Sequence, residues 1–240
     1  MVAYFKLQNN LFMAAGAAVG LIFAAACYRS LIVPSAGYTG VFIVGLFAFV
    51  GVILGRVLAC KWANRKLARL HGILYEEGNP KGFLDVFGPV VKKVPSGTIE
   101  YVDGMRHLAY AWEALGEYDR ALDLLGRVHP ESLRLHALVG IALVENQKLR
   151  LYLLKKETES AKTQLKALNE LQNTAATRAP SLGANLKECI RLADIWLRAL
   201  DGKAGFKQED RTYIEEEISL AKNQFHRKEM EQLLAQMQCA

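Results

Sequence analysis

The sequence predicts an all-α protein in two parts, a two-helix transmembrane hairpin followed by a cytoplasmic α-helical repeat domain. Three observations carry that expectation. Residues 1–60 contain no Asp or Glu and hold two uncharged apolar runs. A basic cluster follows the second run directly. Further on, apolar residues recur at three- and four-residue intervals, in stretches separated by Gly, Pro and Asn, which is the periodicity of amphipathic helices. The chain is 52% hydrophobic, and that excess sits in the first quarter, as membrane insertion requires.

The hairpin is expected over residues 1–62, with spans at about 11–28 and 38–59. LFMAAGAAVGLIFAAACY (Leu11–Tyr28) and YTGVFIVGLFAFVGVILG (Tyr38–Gly55) are each eighteen residues long without a charge, enough to start a spanning helix. RSLIVPSAG between them supplies a turn through Pro34 and Gly37. Tyr4 and Tyr28 bracket the first span, Tyr38 and Trp62 the second. Each pair is 24 residues apart, or ~36 Å of helix, which sets both rings at the interfaces. A cleaved signal ending at AAAC (Ala24–Cys27) is the rival for the first span. Its n-region has a single Lys and its apolar run exceeds a typical h-region, so a retained span is favoured.

Orientation follows from charge. Only Arg29 lies between the spans, whereas Arg56, Lys61, Arg65, Lys66 and Arg69 surround the end of the second. The positive-inside rule then places both the N-terminus and the C-terminal domain in the cytoplasm, in a multi-pass integral membrane protein. The basic run would also meet anionic lipid headgroups. The compact hairpin points to a bacterial cell membrane. Small residues recur four apart in both spans, at Gly16, Gly20 and Ala24 and at Gly51, Gly55 and Ala59. Such faces let helices approach closely in lipid, within the hairpin first, with homo-oligomerisation or docking to another membrane protein as the alternatives.

The second span can continue as helix through KWANRKLARLHGILYEE, with Leu67, Leu70, Ile73 and Leu74 as its stripe, until Gly78, Asn79 and Pro80 stop it. Residues 63–145 read as helical repeats and 146–240 as further paired or long amphipathic helices. The most informative stretch is MRHLAYAWEALGEYDRALDLLGRVHP (Met105–Pro130). Helix, a break at Gly116 and helix again form one unit, and Leu108, Ala109, Trp112, Leu115, Gly116, Tyr118 and Ala121 carry a recognisable spacing. The stretch resembles the tetratricopeptide repeat family, a 34-residue helix-turn-helix unit. Val128 and Pro130 depart from its pattern. A weaker copy 38 residues earlier runs through Leu70, Leu74, Gly78, Phe87, Val90 and Pro95, with His71 and Phe83 where small residues are usual. Beyond lie a helix in Glu131–Leu154 with a polar break at Glu145–Lys148, and a next helix reaching about Asn173. Another helix covers Ala179–Gly202, and a single long amphipathic helix starts at Gln208.

What the resemblance implies is a concave surface that receives a peptide or partner helix. First helices of repeats line that groove, so Arg106, Tyr110 and Glu113 are the candidate partner-binding residues, while Trp112 and Tyr118 fill space between helices. The implied role is a noncatalytic adaptor or scaffold that recruits other proteins at the cytoplasmic face. A subunit of a membrane transport, secretion or envelope-building complex, bound through its spans, is the alternative.

Charge and motifs exclude other classes. The net charge is +6, which invites a nucleic-acid partner. Of the 30 basic side chains, however, three lie in residues 1–60 and four in 61–69, leaving 23 against 24 acidic ones in the rest. No nucleic-acid partner is expected from so balanced a domain. There is no phosphate-binding glycine loop, GxSxG elbow or HExxH pair. The five histidines are scattered, and Cys27, Cys60, Cys189 and Cys239 form no zinc or CxxC spacing. No catalytic residue, cofactor or metal is therefore expected, and the protein is not read as an enzyme.

Overall fold

A computed structural model describes residues 6–31, 37–129, 133, 137–202, 206–221 and 224–239. Among the described residues there is no strand, and ten α-helices follow one another. They are α1 (Lys6–Leu31), α2 (Gly37–Tyr75), α3 (Pro80–Val91), α4 (Ile99–Ala114), α5 (Tyr118–Gly126), α6 (Ala137–Leu154), α7 (Thr158–Arg178), α8 (Pro180–Leu200), α9 (Gln208–Leu220) and α10 (Gln224–Cys239). The chain divides into two compact units, Met1–Leu70 and His71–Ala240. The turn at Pro34, the Tyr4 ring, Pro130 and His136 lie outside the described residues, as do the side chains of Ala24, Cys27, Tyr28, Tyr38 and Cys239.

In the first unit α1 and α2 lie antiparallel and cross at glycine. A Cβ added at Gly16 would meet the Gly51 carbonyl oxygen, one at Gly20 the Phe47 carbonyl, and one at Gly55 the Phe12 carbonyl. The position numbers in each meeting pair add to the same value, as an antiparallel register demands. Phe12 and Trp62 extend the contact, with ring centroids 5.9 Å apart. Away from the crossing, α2 presents Leu46, Val50, Leu54 and Leu58 outward, followed on the same helical stripe by exposed Lys61, Arg65 and Arg69. Gly45–Tyr75 is the one helix among the described residues that is long and apolar enough to cross a membrane, while α1 carries a shorter apolar stretch, Asn10–Ile22.

The second unit is built from successive helix pairs. α3 packs on α4, α4 on α5, α6 on α7, α7 on α8 and α9 on α10, with α4, α5 and α8 meeting α6 and α10 meeting α8. Local chemistry sets the ends of these helices. Asn79 caps α3 by accepting from the Gly82 amide at 2.9 Å, with Pro80 in the first turn, a favoured start. Thr98 caps α4 by accepting from the Tyr101 amide. α4 then closes with the Gly116 amide bonded to the Glu113 carbonyl and the Glu117 amide to the Trp112 carbonyl. Gly116 stands at φ +76°, the left-handed position this helix ending needs.

The same turn recurs between α6 and α7. The Lys156 amide bonds the Leu153 carbonyl and the Glu157 amide the Tyr152 carbonyl. Lys156, at φ 60°, occupies the left-handed position. Ala121 and Ala161, five residues beyond each left-handed residue, are both fully buried. The helix-turn-helix unit thus repeats, with Lys in place of Gly at its strained residue.

Two expected breaks fall elsewhere. The polar stretch Glu145–Lys148 does not interrupt α6, because its side chains find partners along and between helices. Gln147 Nε2 donates to the Arg106 carbonyl at 3.2 Å, Lys148 pairs with Glu145 at 2.8 Å, and Gln164 donates to the Glu145 carboxylate. The expected single C-terminal helix is two. The backbone leaves helical conformation at Ala221, where ψ is 109°. α9 and α10 then both deliver apolar residues, Ile214 on one and Met230, Leu233 and Met237 on the other, to a core shared with Leu149, Leu168, Leu186, Ile195 and Trp196.

Candidate functional site

Chemistry in the second unit concentrates around Arg150. An isolated Arg in the apolar run Leu149–Leu154 turns one face of α6 into a cation, and the register of α4 sets two partners against it. The Arg150 guanidinium donates to the Tyr110 hydroxyl at 2.6 Å and lies 4.8 Å from the centre of the same ring. Its Nη2 stands 2.9 Å from Glu113 Oε1. From the far end of the chain, α10 brings Glu229, whose two carboxylate oxygens accept from Nη2 at 2.6 and 2.7 Å.

Two carboxylates therefore share one guanidinium in a largely buried setting. Glu113 is only 8% exposed, and its Oε2 is buried without a hydrogen-bond partner. Burial pushes its pKa up to about 7, opposed by Arg150 and reinforced by Glu229. The Tyr118 hydroxyl is also raised, first by partial burial and then by Glu113 and Glu229. Arg150 stays charged, so the cluster carries a net charge of −1 with both carboxylates ionised and none once Glu113 takes a proton.

Next to this cluster opens a cleft of about 610 Å³. α4 gives it Tyr110. α6 contributes Leu149, Arg150 and Leu153, and α8 contributes Glu188, Cys189, Leu192 and Trp196. Tyr213, Glu217 and Leu220 of α9 and His226, Glu229 and Met230 of α10 complete it. Its volume falls within the roughly 300–1,000 Å³ of ligand-sized sites, and its lining of apolar surface with a few polar groups is the usual composition. A smaller pocket of about 170 Å³, lined in part by Tyr75, Glu113, Tyr118 and Lys228, lies on the other side of Tyr110 and Glu229, which line both.

The sequence-derived candidates are distributed as follows. Tyr110 and Glu113 both contact Arg150, and Tyr110 lines the large cleft. Arg106 lies apart, half-buried, 3.6 Å from Asp103, with its carbonyl held by Gln147. Gly16, Gly20, Gly51 and Gly55 are at the α1–α2 crossing of the first unit. Trp112 is half-buried beneath the Arg120 guanidinium, 4.8 Å from the ring centre. Sequence reasoning missed Arg150, Glu229 and the α8–α9 wall. The signal for Arg150 was present as a lone charge in an apolar run; Glu229 is 79 positions away from it, and nothing local announces the pair.

Among the described residues, no group of three or more His, Cys, Asp or Glu side chains is arranged to hold a metal ion. Comparison of the chain with protein-family models, curated proteins and solved structures gave no match.

Proposed function

We propose that the protein is a membrane-anchored adaptor of the tetratricopeptide-like kind. In this reading α1 and α2 form a transmembrane hairpin, and the second unit works at the cytoplasmic face by binding another protein. The cleft of about 610 Å³, apolar within and charged at its edge, is the observation that carries the reading. Three further features support it. The outward stripe of α2 changes from Leu46, Val50, Leu54 and Leu58 to Lys61, Arg65 and Arg69, the order expected where a span meets a cytoplasmic interface. The left-handed turn recurs within two successive helix pairs, α4–α5 and α6–α7, and successive helix pairs are the units of a stacked repeat. Tyr110, on the first helix of the best-matching repeat, faces the cleft.

The test is purification of the full-length protein from native membranes in mild detergent, with the stoichiometry of accompanying proteins measured by mass spectrometry. A stoichiometric partner that disappears when residues 71–240 are removed is the expected result. A partner kept by residues 1–70 alone would favour the second reading, an accessory or regulatory subunit of a membrane transport, secretion or envelope complex held through its spans. What favours that reading is the exposed apolar surface of the first unit, including Leu11, Ile22, Phe49 and Leu54. Recovery of nothing but further copies of the chain would make homo-oligomerisation its use.

A further inference from the structure

We propose that the cleft walled by α4, α6, α8, α9 and α10 takes a Lys or Arg side chain presented from an apolar helical segment of the partner protein. The inference rests on the adaptor reading and gives its partner a chemistry.

The floor fixes the apolar part. Leu149, Leu153, Leu192, Trp196 and Met230 line the cleft, and Leu220 at its edge is 74% exposed. An apolar side chain this open beside a concave apolar surface gains burial only when something covers it. A helix laid along the cleft does so with residues at three- and four-residue spacing.

Charge fixes the rest. The cleft is lined by three carboxylates, Glu188, Glu217 and Glu229, against one guanidinium, Arg150. That guanidinium is already engaged by Glu113, Glu229 and Tyr110, so it has little attraction left for an incoming anion. The excess sign is negative and lies on the side of Glu188 and Glu217. The field is felt by the neighbouring groups. The Tyr213 hydroxyl is pushed up to about 12 by burial, then by Glu217 and Glu188, and the Cys189 thiol is raised by burial with the same two carboxylates adding. This rim already accepts a cation from its own chain, since the Arg191 guanidinium lies 4.2 Å from the centre of the Tyr213 ring. His226 is the other group facing the rim, 3.5 Å from Glu217 and 4.0 Å from Glu229. A long cationic side chain suits such a place, with its stem on apolar surface and its head among carboxylates.

The experiment uses the full chain in nanodiscs of zwitterionic lipid at pH 8. Two short amphipathic helical peptides with the same apolar face serve as probes, one with Lys along its polar edge and its twin with Glu. The readout is the rate at which a maleimide labels Cys189, which lines the cleft, resolved by mass spectrometry from Cys27, Cys60 and Cys239. The Lys peptide is expected to slow labelling of Cys189 and the Glu twin to leave it unchanged. Glu188→Lys with Glu217→Lys, checked for unchanged helix content by circular dichroism, should weaken the protection roughly tenfold or more, the scale of reversing close charge pairs. Equal protection by both peptides, protection by neither, or protection that survives the double reversal overturns the proposal. A photo-crosslinker at position 188 in native membranes separates this from the adaptor reading. A stoichiometric partner that is not captured from position 188 leaves the adaptor standing and overturns the cleft's role. Peptide protection with no partner in the membrane keeps the cleft's chemistry and removes the adaptor.

Discussion

At the scale of single residues, the molecule spends its most expensive electrostatics on Arg150. Removing one partner from a buried ion cluster costs far more than the cluster contributes, because the remaining charges lose their compensation. Arg150→Met leaves Glu113 and Glu229 facing each other and is expected to destabilise the second unit by about 3 kcal/mol, measured by urea unfolding followed through Trp fluorescence. Glu113 makes the opposite prediction. Its pKa is raised from about 4.5 to about 7, so between those values the folded protein holds a proton that the unfolded chain has released. Stability from this group is fully present below about pH 4.5 and is lost as pH rises through 7. Glu113→Gln should abolish that loss, matching the parent at pH 5 and exceeding its Tm at pH 8. A Tm difference independent of pH would show that Glu113 does not titrate in this range. The His71–His107 pair, ring centroids 4.0 Å apart, with the Tyr75 hydroxyl 2.8 Å from His107 Nδ1, belongs to the aromatic packing around Phe83 and Phe87. At this scale the sequence marked Tyr110 and Glu113 through the repeat spacing. It gave no route to Glu229, because long-range pairing leaves no periodic trace.

Among elements, the decisive features are two turns and one crossing. Gly116 was legible because only glycine adopts a left-handed conformation without cost, so its position in LGEYD announces a helix end. Lys156 was illegible for the same reason, since a Lys at φ 60° looks like any helical residue in the sequence. The break was read from polarity at Glu145–Lys148 instead, where Gln147 donates to the Arg106 carbonyl, Lys148 pairs with Glu145 within the helix and Gln164 donates to Glu145. Left-handed conformation costs an L-residue about 1–2 kcal/mol, part of which glycine returns as chain entropy. Lys156→Gly should therefore stabilise the second unit by about 1 kcal/mol, and Gly116→Ala should destabilise it by a similar amount, both read as urea midpoints at constant m. Opposite signs from the two substitutions would establish that the turns are equivalent. The glycine crossing of α1 and α2 was visible as a four-residue rhythm of small residues. Gly51→Leu puts a side chain where the Gly16 carbonyl already stands and should cost about 2 kcal/mol through forced separation. Thermal unfolding in detergent should show that loss in the first unit, with helix content below the transition unchanged.

For the molecule as a whole, the membrane reading turns on α2. A charge in the middle of a spanning helix costs about 3 kcal/mol on insertion scales. Val50→Arg, near the middle of the span and on its outward stripe, should therefore shift part of the protein into the alkaline-carbonate supernatant, whereas Leu220→Arg, on the second unit, should not. Equal extraction of both would remove the span. The two compact units divide after Leu70, beyond the boundary at residue 62 that composition marks, and α2 continues as one helix past the apolar run to Tyr75. The folding back of α10 was not legible, because an amphipathic stretch of thirty residues is equally compatible with one helix or two until there is a core to share. That return has a consequence in time. Arg150 and Glu113 are synthesised early, but Glu229 follows Arg150 by 79 positions, roughly 4–16 s at ribosomal speed. During that interval Glu113 and Tyr110 are the guanidinium's only partners of the three, and once α8 has been made its apolar wall stands open, a surface suited to a chaperone. A stop codon anywhere between α8 and α10 would release a protein with most of its helices and no cleft.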